Sequence, residues 1–157
     1  LTIDPAAIRP DHVAAVIARL RQFSDLLALC PDDPPDAKGK VVKRIGKKAS
    51  PFVKDGATHM IAVNGAPSPQ PDLYVPRSRP VVDIHCYATQ GHEAARLAYL
   101  VLAALCPDWR GQAFTAANCR IIDVFPLTAA PIEIFDRDLK LDDRVLSFEL
   151  DKSEVPA

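Results

Sequence analysis

The stretch that most narrows what this chain can fold into is Pro80 to Cys106, PVVDIHCYATQGHEAARLAYLVLAALC, because it reads as one strand running into one helix. Val82, Ile84, Cys86 and Ala88 alternate with Val81, Asp83, His85 and Tyr87, the period of a strand with one apolar and one mixed face. A half-covered antiparallel sheet is expected. Thr89, Gln90 and Gly91 break the alternation, after which Ala94, Leu97, Ala98, Val101, Leu102 and Leu105 recur at the three-four spacing of an amphipathic helix. At roughly 1.5 Å per residue that helix is about 24 Å long. Its far side is unusual: Tyr99, Leu100 and Ala103 point away from the stripe, and Arg96 is the only charge after Glu93. A second surface should cover it, either the first helix of the same chain or a neighbouring subunit.

At 157 residues, 48% hydrophobic and 25% charged, the chain is expected to form one domain, residues 1–157, with its own core. A net charge of -1 and a pI near 6.5 argue against a nucleic-acid binder acting by bulk charge, since such affinity comes from neutralising many phosphates. Cys30, Cys86, Cys106 and Cys119 lie far apart with no C-x-x-C pair, which favours an intracellular chain with free thiols. No run approaches the roughly 18 apolar residues of a membrane span. Asp4 and Arg9 stand where a signal peptide would turn apolar, so none is expected, and an opening Leu1 fits either an alternative start codon or a trimmed terminus.

Along the chain, Asp4 before Pro5 suits a short turn, and Pro10 suits the first position of a helix with its stripe at Val13, Val16, Ile17, Leu20, Phe23 and Leu27. Pro31, Pro34 and Pro35 end it near Cys30. Residues 31–57 read as a basic, proline-flanked arm, expected to be mobile, with Lys38, Lys40, Lys43, Arg44, Lys47, Lys48 and Lys54. THMIAV (58–63) reads as a strand that Asn64 and Gly65 stop, and residues 66–79 as an extended proline-rich loop. Beyond Pro107 follow strands CRIIDVFPL (119–127) and PIEIF (131–135), a charged turn DRDLKLDD, and a closing strand RVLSFEL (144–150). The order gives an α+β fold: a mostly antiparallel sheet of four to five strands with two helices packed on one face.

No catalytic constellation emerges. Asp83, His85, Cys86 and His92 invite a metal or Cys–His reading, but His85 and Cys86 point to opposite faces of a strand and His92 stands alone on the helix. G-x-x-x-x-G-K-[ST] is absent, and GKVVKRIGKK (39–48) matches only in flavour. Asp136, Asp138, Asp142 and Asp143 are interrupted by Leu139 and Leu141 and lack the glycine of a calcium loop. No cofactor is implied. The lysine-rich arm reads either as a wet loop or as a docking surface for an acidic partner or DNA. A small hydrolase using His85 and Asp83, which share a strand face, stays open if a third polar partner completes it.

VVDIHCYATQGHEAARLAYLVLAAL, followed by CRIIDVFPL and RVLSFEL, resembles the tail terminator (tail-completion) family of long-tailed phages and gene transfer particles. There a V-D-[VI]-x-x-[WY]-[AS] strand precedes a helix with E-A-x-x-[LA]-A; Val82, Asp83, Ile84, Tyr87 and Ala88, then Glu93, Ala94, Leu97 and Ala98, match here. The resemblance spans roughly residues 10–150. The long insertion at 31–57 and Tyr87 in place of the commoner tryptophan depart from the pattern. What the resemblance implies is a structural virion protein and no enzyme: a ring, typically a hexamer, that caps the tail tube, stops its polymerisation and meets the head-completion proteins, with DNA only passing through the lumen and no membrane involved. Arg96, Tyr99, Leu100 and Ala103 are then candidates for the subunit interface. Lys43, Arg44, Lys47, Lys48, Tyr74, Arg77, Asp136 and Asp138, on the arm and the loops 64–79 and 128–143, are candidates for partner docking. The rival of the same kind is another head-tail connector or neck protein.

Overall fold

The computed structural model of the protein describes residues 1–2, 10–54, 56–66, 76–128 and 130–157. In chain order these form α1 (His12–Leu20), α2 (Ser24–Leu29), β1 (Ile45–Gly46), β2 (His59–Ala66), β3 (Arg77–Ser78), β4 (Val81–Ala88), α3 (Gly91–Leu105), a 3₁₀ turn (Pro107–Trp109), β5 (Phe114–Ala116), β6 (Cys119–Pro126), β7 (Ile132–Asp136) and β8 (Leu141–Ser153). The fold is α+β as expected, but the sheet is larger and mixed: eight strands in the order β1-β2-β4-β8-β6-β5, with β3 and β7 also on β8 and with β1 parallel to β2. Strands as short as β1, β3 and β5 carry no periodic signal, which is why sequence periodicity finds only the longer ones.

β8 is the axis. On one side it pairs antiparallel with β4 over Asp142–Glu149 and with β3 at Lys152 and Ser153; on the other it pairs with β7 over Leu141–Val145 and with β6 over Phe148–Lys152. It begins at Leu141, so Asp142 and Asp143 lie inside a strand and the charged turn is confined to residues 137–140. β2 also outruns its expected end, because Asn64 and Gly65 pair with Asp83 and Val82.

Val82, Ile84 and Cys86 of β4 and Leu146, Phe148 and Leu150 of β8 share the face that carries the helices, against Leu97, Ala98, Val101, Leu102 and Leu105 of α3 and Val13, Val16 and Leu20 of α1. Each large side chain buried there contributes about 1.5–3 kcal/mol. Asp11 caps α1, its Oδ1 accepting from the N–H groups of Val13 and Ala14 at 3.0 and 3.2 Å; the Asp4–Pro5 turn lies outside the described residues. The single first helix is in fact two. The chain turns at Arg21 to Phe23, where the C-cap Arg21 pairs with Asp32 at 2.8 Å, and α2 then buries Leu26.

The opposite face of the sheet is not bare. Met60, Ala62, Tyr87 and Leu141 form a second cluster, covered by Ala49 and Phe52 of the arm and by Leu139. The arm is therefore folded onto the sheet, and its anchor is Arg44, which is 1% exposed. Its guanidinium spends every donor inside the protein: Nε and Nη2 on the two carboxylate oxygens of Asp33 at 2.8 and 2.5 Å, Nη1 on the Ser50 carbonyl at 2.8 Å and Met60 Sδ at 3.4 Å, and Nη2 also on the Pro51 carbonyl at 2.9 Å. The Phe52 ring lies against it. Replacing Arg44 by Met should lower the unfolding free energy in a urea titration by about 3–5 kcal/mol, because Asp33 loses its partner while buried. Adding Asp33→Leu should restore most of that loss; no restoration would show that the pair is not what anchors the arm.

Candidate functional site

The outer face of α3 is built by default. The helix turns Leu97, Val101 and Leu105 into the core, and the same periodicity leaves Arg96, Tyr99 and Ala103 facing outward. Tyr99 is 52% exposed, Ala103 is exposed, and Leu100 is half-buried against the core. α2 covers one flank only. Two shallow grooves run beside Ala103: one of about 170 Å³ lined by Tyr99, Leu102, Ala103, Cys106, Asp108 and Trp109, the other of about 160 Å³ lined by Phe23, Asp25, Leu26, Leu100, Ala103 and Ala104.

Trp109 extends this surface and had no sequence signal beyond its type. Asp108 and Trp109 both have positive φ, 54° and 63°, a conformation that is uncommon outside glycine and costs on the order of 1 kcal/mol or more. The turn is held by the Trp109 N–H on the Cys106 carbonyl at 3.2 Å and the Arg110 N–H on the Pro107 carbonyl at 3.1 Å. It leaves the indole 68% exposed. An aromatic ring kept in solvent by strained backbone beside an apolar groove marks a contact surface better than a packing site. Arg96, 63% exposed, pairs loosely with Glu93 at 3.8 Å.

The docking candidates separate. Lys43 and Lys48 are exposed, and Lys47 reaches Asp11 at 2.9 Å. Arg44 does not belong with them: its burial and its internal partners remove it from any surface. Asp136 caps the β7–β8 turn, accepting from the N–H groups of Asp138 and Leu139, while Asp138 is exposed. Ala49 of the arm and Leu139 of the turn pack on the same cluster, so basic arm and acidic turn share one side of the sheet. Arg77 sits at the other end of β8, opposite Ser153, where it is bidentate on Asp151. Tyr74 lies outside the described residues.

The polar residues of β4 settle into pairs across β8. His85 Nδ1 lies 2.6 Å from Asp143 Oδ2, and the Ser147 hydroxyl donates to Asp83 Oδ1 at 2.5 Å. His85 thus finds a third polar partner, but it is Asp143, and the hydroxyl that could act as a nucleophile is spent on Asp83 instead of on a base. Cys86 is fully buried on the other face with its thiol pushed up by desolvation, and burial likewise raises Cys30 to about 12 and Cys106 to about 11, which leaves these thiols unreactive. Among the described residues no group of three or more His, Cys, Asp and Glu side chains is placed to hold a metal ion, and no helix is long and apolar enough to cross a membrane.

Asp143 is 2% exposed, and its second oxygen, Oδ1, has no hydrogen-bond partner. The hydrogen bond to Asp143 raises the His85 pKa, against desolvation. A raised histidine stabilises the fold below the ordinary value of about 6.5 and loses that contribution as pH climbs through the elevated value. Burial shifts His12 the opposite way, so the informative quantity is the difference between wild type and His85→Gln in denaturant titrations. That difference should be largest below about pH 6 and shrink above neutrality; a pH-independent difference would show that the imidazolium form is not what Asp143 holds.

No protein-family model matches the chain, and no curated protein matches its sequence. Its fold does match a solved one. The chain superimposes on a protein of the virion of the native gene transfer agent particle with a TM-score of 0.52 at 18% identity, covering 89% of this chain and 92% of that one.

Proposed function

We propose that this chain is a structural virion protein, folded as one domain, that closes into a homo-oligomeric ring, typically a hexamer, at the head-proximal end of a long tail. There it stops tail-tube polymerisation, docks to the head-completion protein and lets DNA pass through its lumen; it is assembled in the host cytoplasm and is not an enzyme. The observation that carries this is the uncovered apolar face of α3, with Tyr99 and Ala103 outward and Leu100 half-covered, on a chain that shares its fold over nearly its whole length with a component of a gene transfer agent virion. A closed ring needs a heterologous contact between two different patches of each subunit, and this face is one of them. The near-neutral balance of 19 basic and 20 acidic residues suits a lumen that must not grip phosphate. Lys43, Lys47, Lys48, Arg77, Asp136 and Asp138 are the docking residues toward tube and connector. A different neck protein would share the size and the ring logic, and position in the particle separates the two.

Native mass measurement of the purified protein should give a monomer alone and a ring when tube subunits are added; a stable dimer under both conditions would contradict the proposal. Tyr99→Asp should abolish the ring while moving unfolding free energy by no more than about 0.5 kcal/mol, the range of ordinary surface substitutions. Reversing Lys47 and Lys48 to Glu should impair the joining of tails to heads; unchanged joining would remove the arm from docking.

A further inference from the structure

A heterologous ring contact needs a second patch on each subunit, and the β7 edge offers one. β7 pairs with β8 on one side only, and along it Ile132, Ile134 and Phe135 are 52%, 44% and 57% exposed, with Leu127 just before it at 53%. Solvent-facing edge strands are commonly guarded by charged side chains, proline or a covering element. β7, IEIFD, has neither proline nor lysine, and its charges are Glu133, 75% exposed, and Asp136 at its end. Among the described residues, the exposed large hydrophobics beyond the α3 surface and this edge are scattered on the arm and near the two ends of the chain.

Register decides which side chains act together. Phe135 pairs with Asp142 and Glu133 with Arg144, so both lie on the sheet face that carries the helices, whereas Ile132 and Ile134 follow Val145 and Asp143 to the other face. Glu133 and Phe135 thus form a carboxylate and an aromatic ring about 7 Å apart. On α3, Arg96 and Leu100 are one turn apart, about 6 Å, and Leu100 opens onto the groove beside Ala103. The α3 surface offers the cation Arg96, with Asp25 and Asp108 at its two grooves, and the β7 surface offers the anion Glu133. Each is held at home only loosely: Arg96 to Glu93 at 3.8 Å and Glu133 to Arg144 at 3.5 Å.

We propose that the occupant of the α3 groove is the β7 edge of a second copy of this chain, with Glu133 on the neighbour's Arg96 and Phe135 in the groove along Leu100 and Ala103. The contact is heterologous, since the two patches share no residue, and it therefore propagates around a ring instead of stopping at a dimer. It rests on the ring assembly proposed above and specifies its interface.

The test is a charge exchange read by native mass with tube subunits present. Glu133→Arg alone and Arg96→Glu alone should each leave the protein monomeric, with at least a tenfold loss of ring, and the double variant should recover the ring. Circular dichroism melts of all three should match wild type, because both side chains are largely in solvent. Rings formed equally well by both single variants, or a double variant that stays as defective as the singles, would overturn this interface while leaving the ring itself standing. A wild-type chain that forms no ring with tube subunits would overturn the ring and this interface with it.

Discussion

The packing of α3 across β4 and β8 is the constraint from which the rest follows. Those two strands lie at the centre of the sheet, joined over eight consecutive positions from Val81↔Glu149 to Ala88↔Asp142, and α3 lays its leucine and valine stripe on their apolar face. One helix stripe can serve only one surface. The sequence nevertheless keeps much of the other side of α3 apolar, and α2 borders it only along the Leu100 and Ala104 flank. A surface that selection could have made charged at no cost to the core, and did not, is the physical basis for expecting a partner there.

The same sheet decides what becomes of the polar residues of β4. Strand pairing sends Asp83, His85 and Tyr87 to the face away from the helices, where β8 supplies Ser147 for Asp83 and Asp143 for His85, and the His85 ring in turn stacks on Tyr87 at 5.9 Å. The groups are consumed pairwise. Among the described residues, what stays open to solvent includes the outer face of α3 with Trp109 beside it, the charged side chains of the arm and the β7–β8 turn, and the apolar edge of β7.

Much of this was legible before the structure. The β4–α3 unit, the strands at 119–126 and 132–136 and the outward position of Tyr99 follow from period-two and period-3.6 patterns that are long enough to read. The misses have specific causes. Residues 31–57 look like a mobile arm because lysines and prolines dominate their composition, yet one buried ion pair between Arg44 and Asp33 outweighs that composition and gives β1 its place beside β2. Asp142 and Asp143 look like turn residues because acids usually are; Leu141, Asp143 and Val145 do alternate correctly with the rest of β8, and that was the available signal. The break between α1 and α2 had none, since Val13 to Leu27 fit one helical stripe and tertiary context overrides that pattern. The exposed face of β7 was also out of reach, because periodicity tells which residues share a side and not whether anything lies against it.

The most direct measurement is a density map of the assembled particle at a resolution that resolves side chains. It should place identical copies of this chain in a closed ring at the junction of head and tail, with Tyr99 and Ala103 of each copy covered by its neighbour. A map that puts the chain elsewhere in the particle, or that leaves the outer face of α3 in solvent at that junction, would contradict the account.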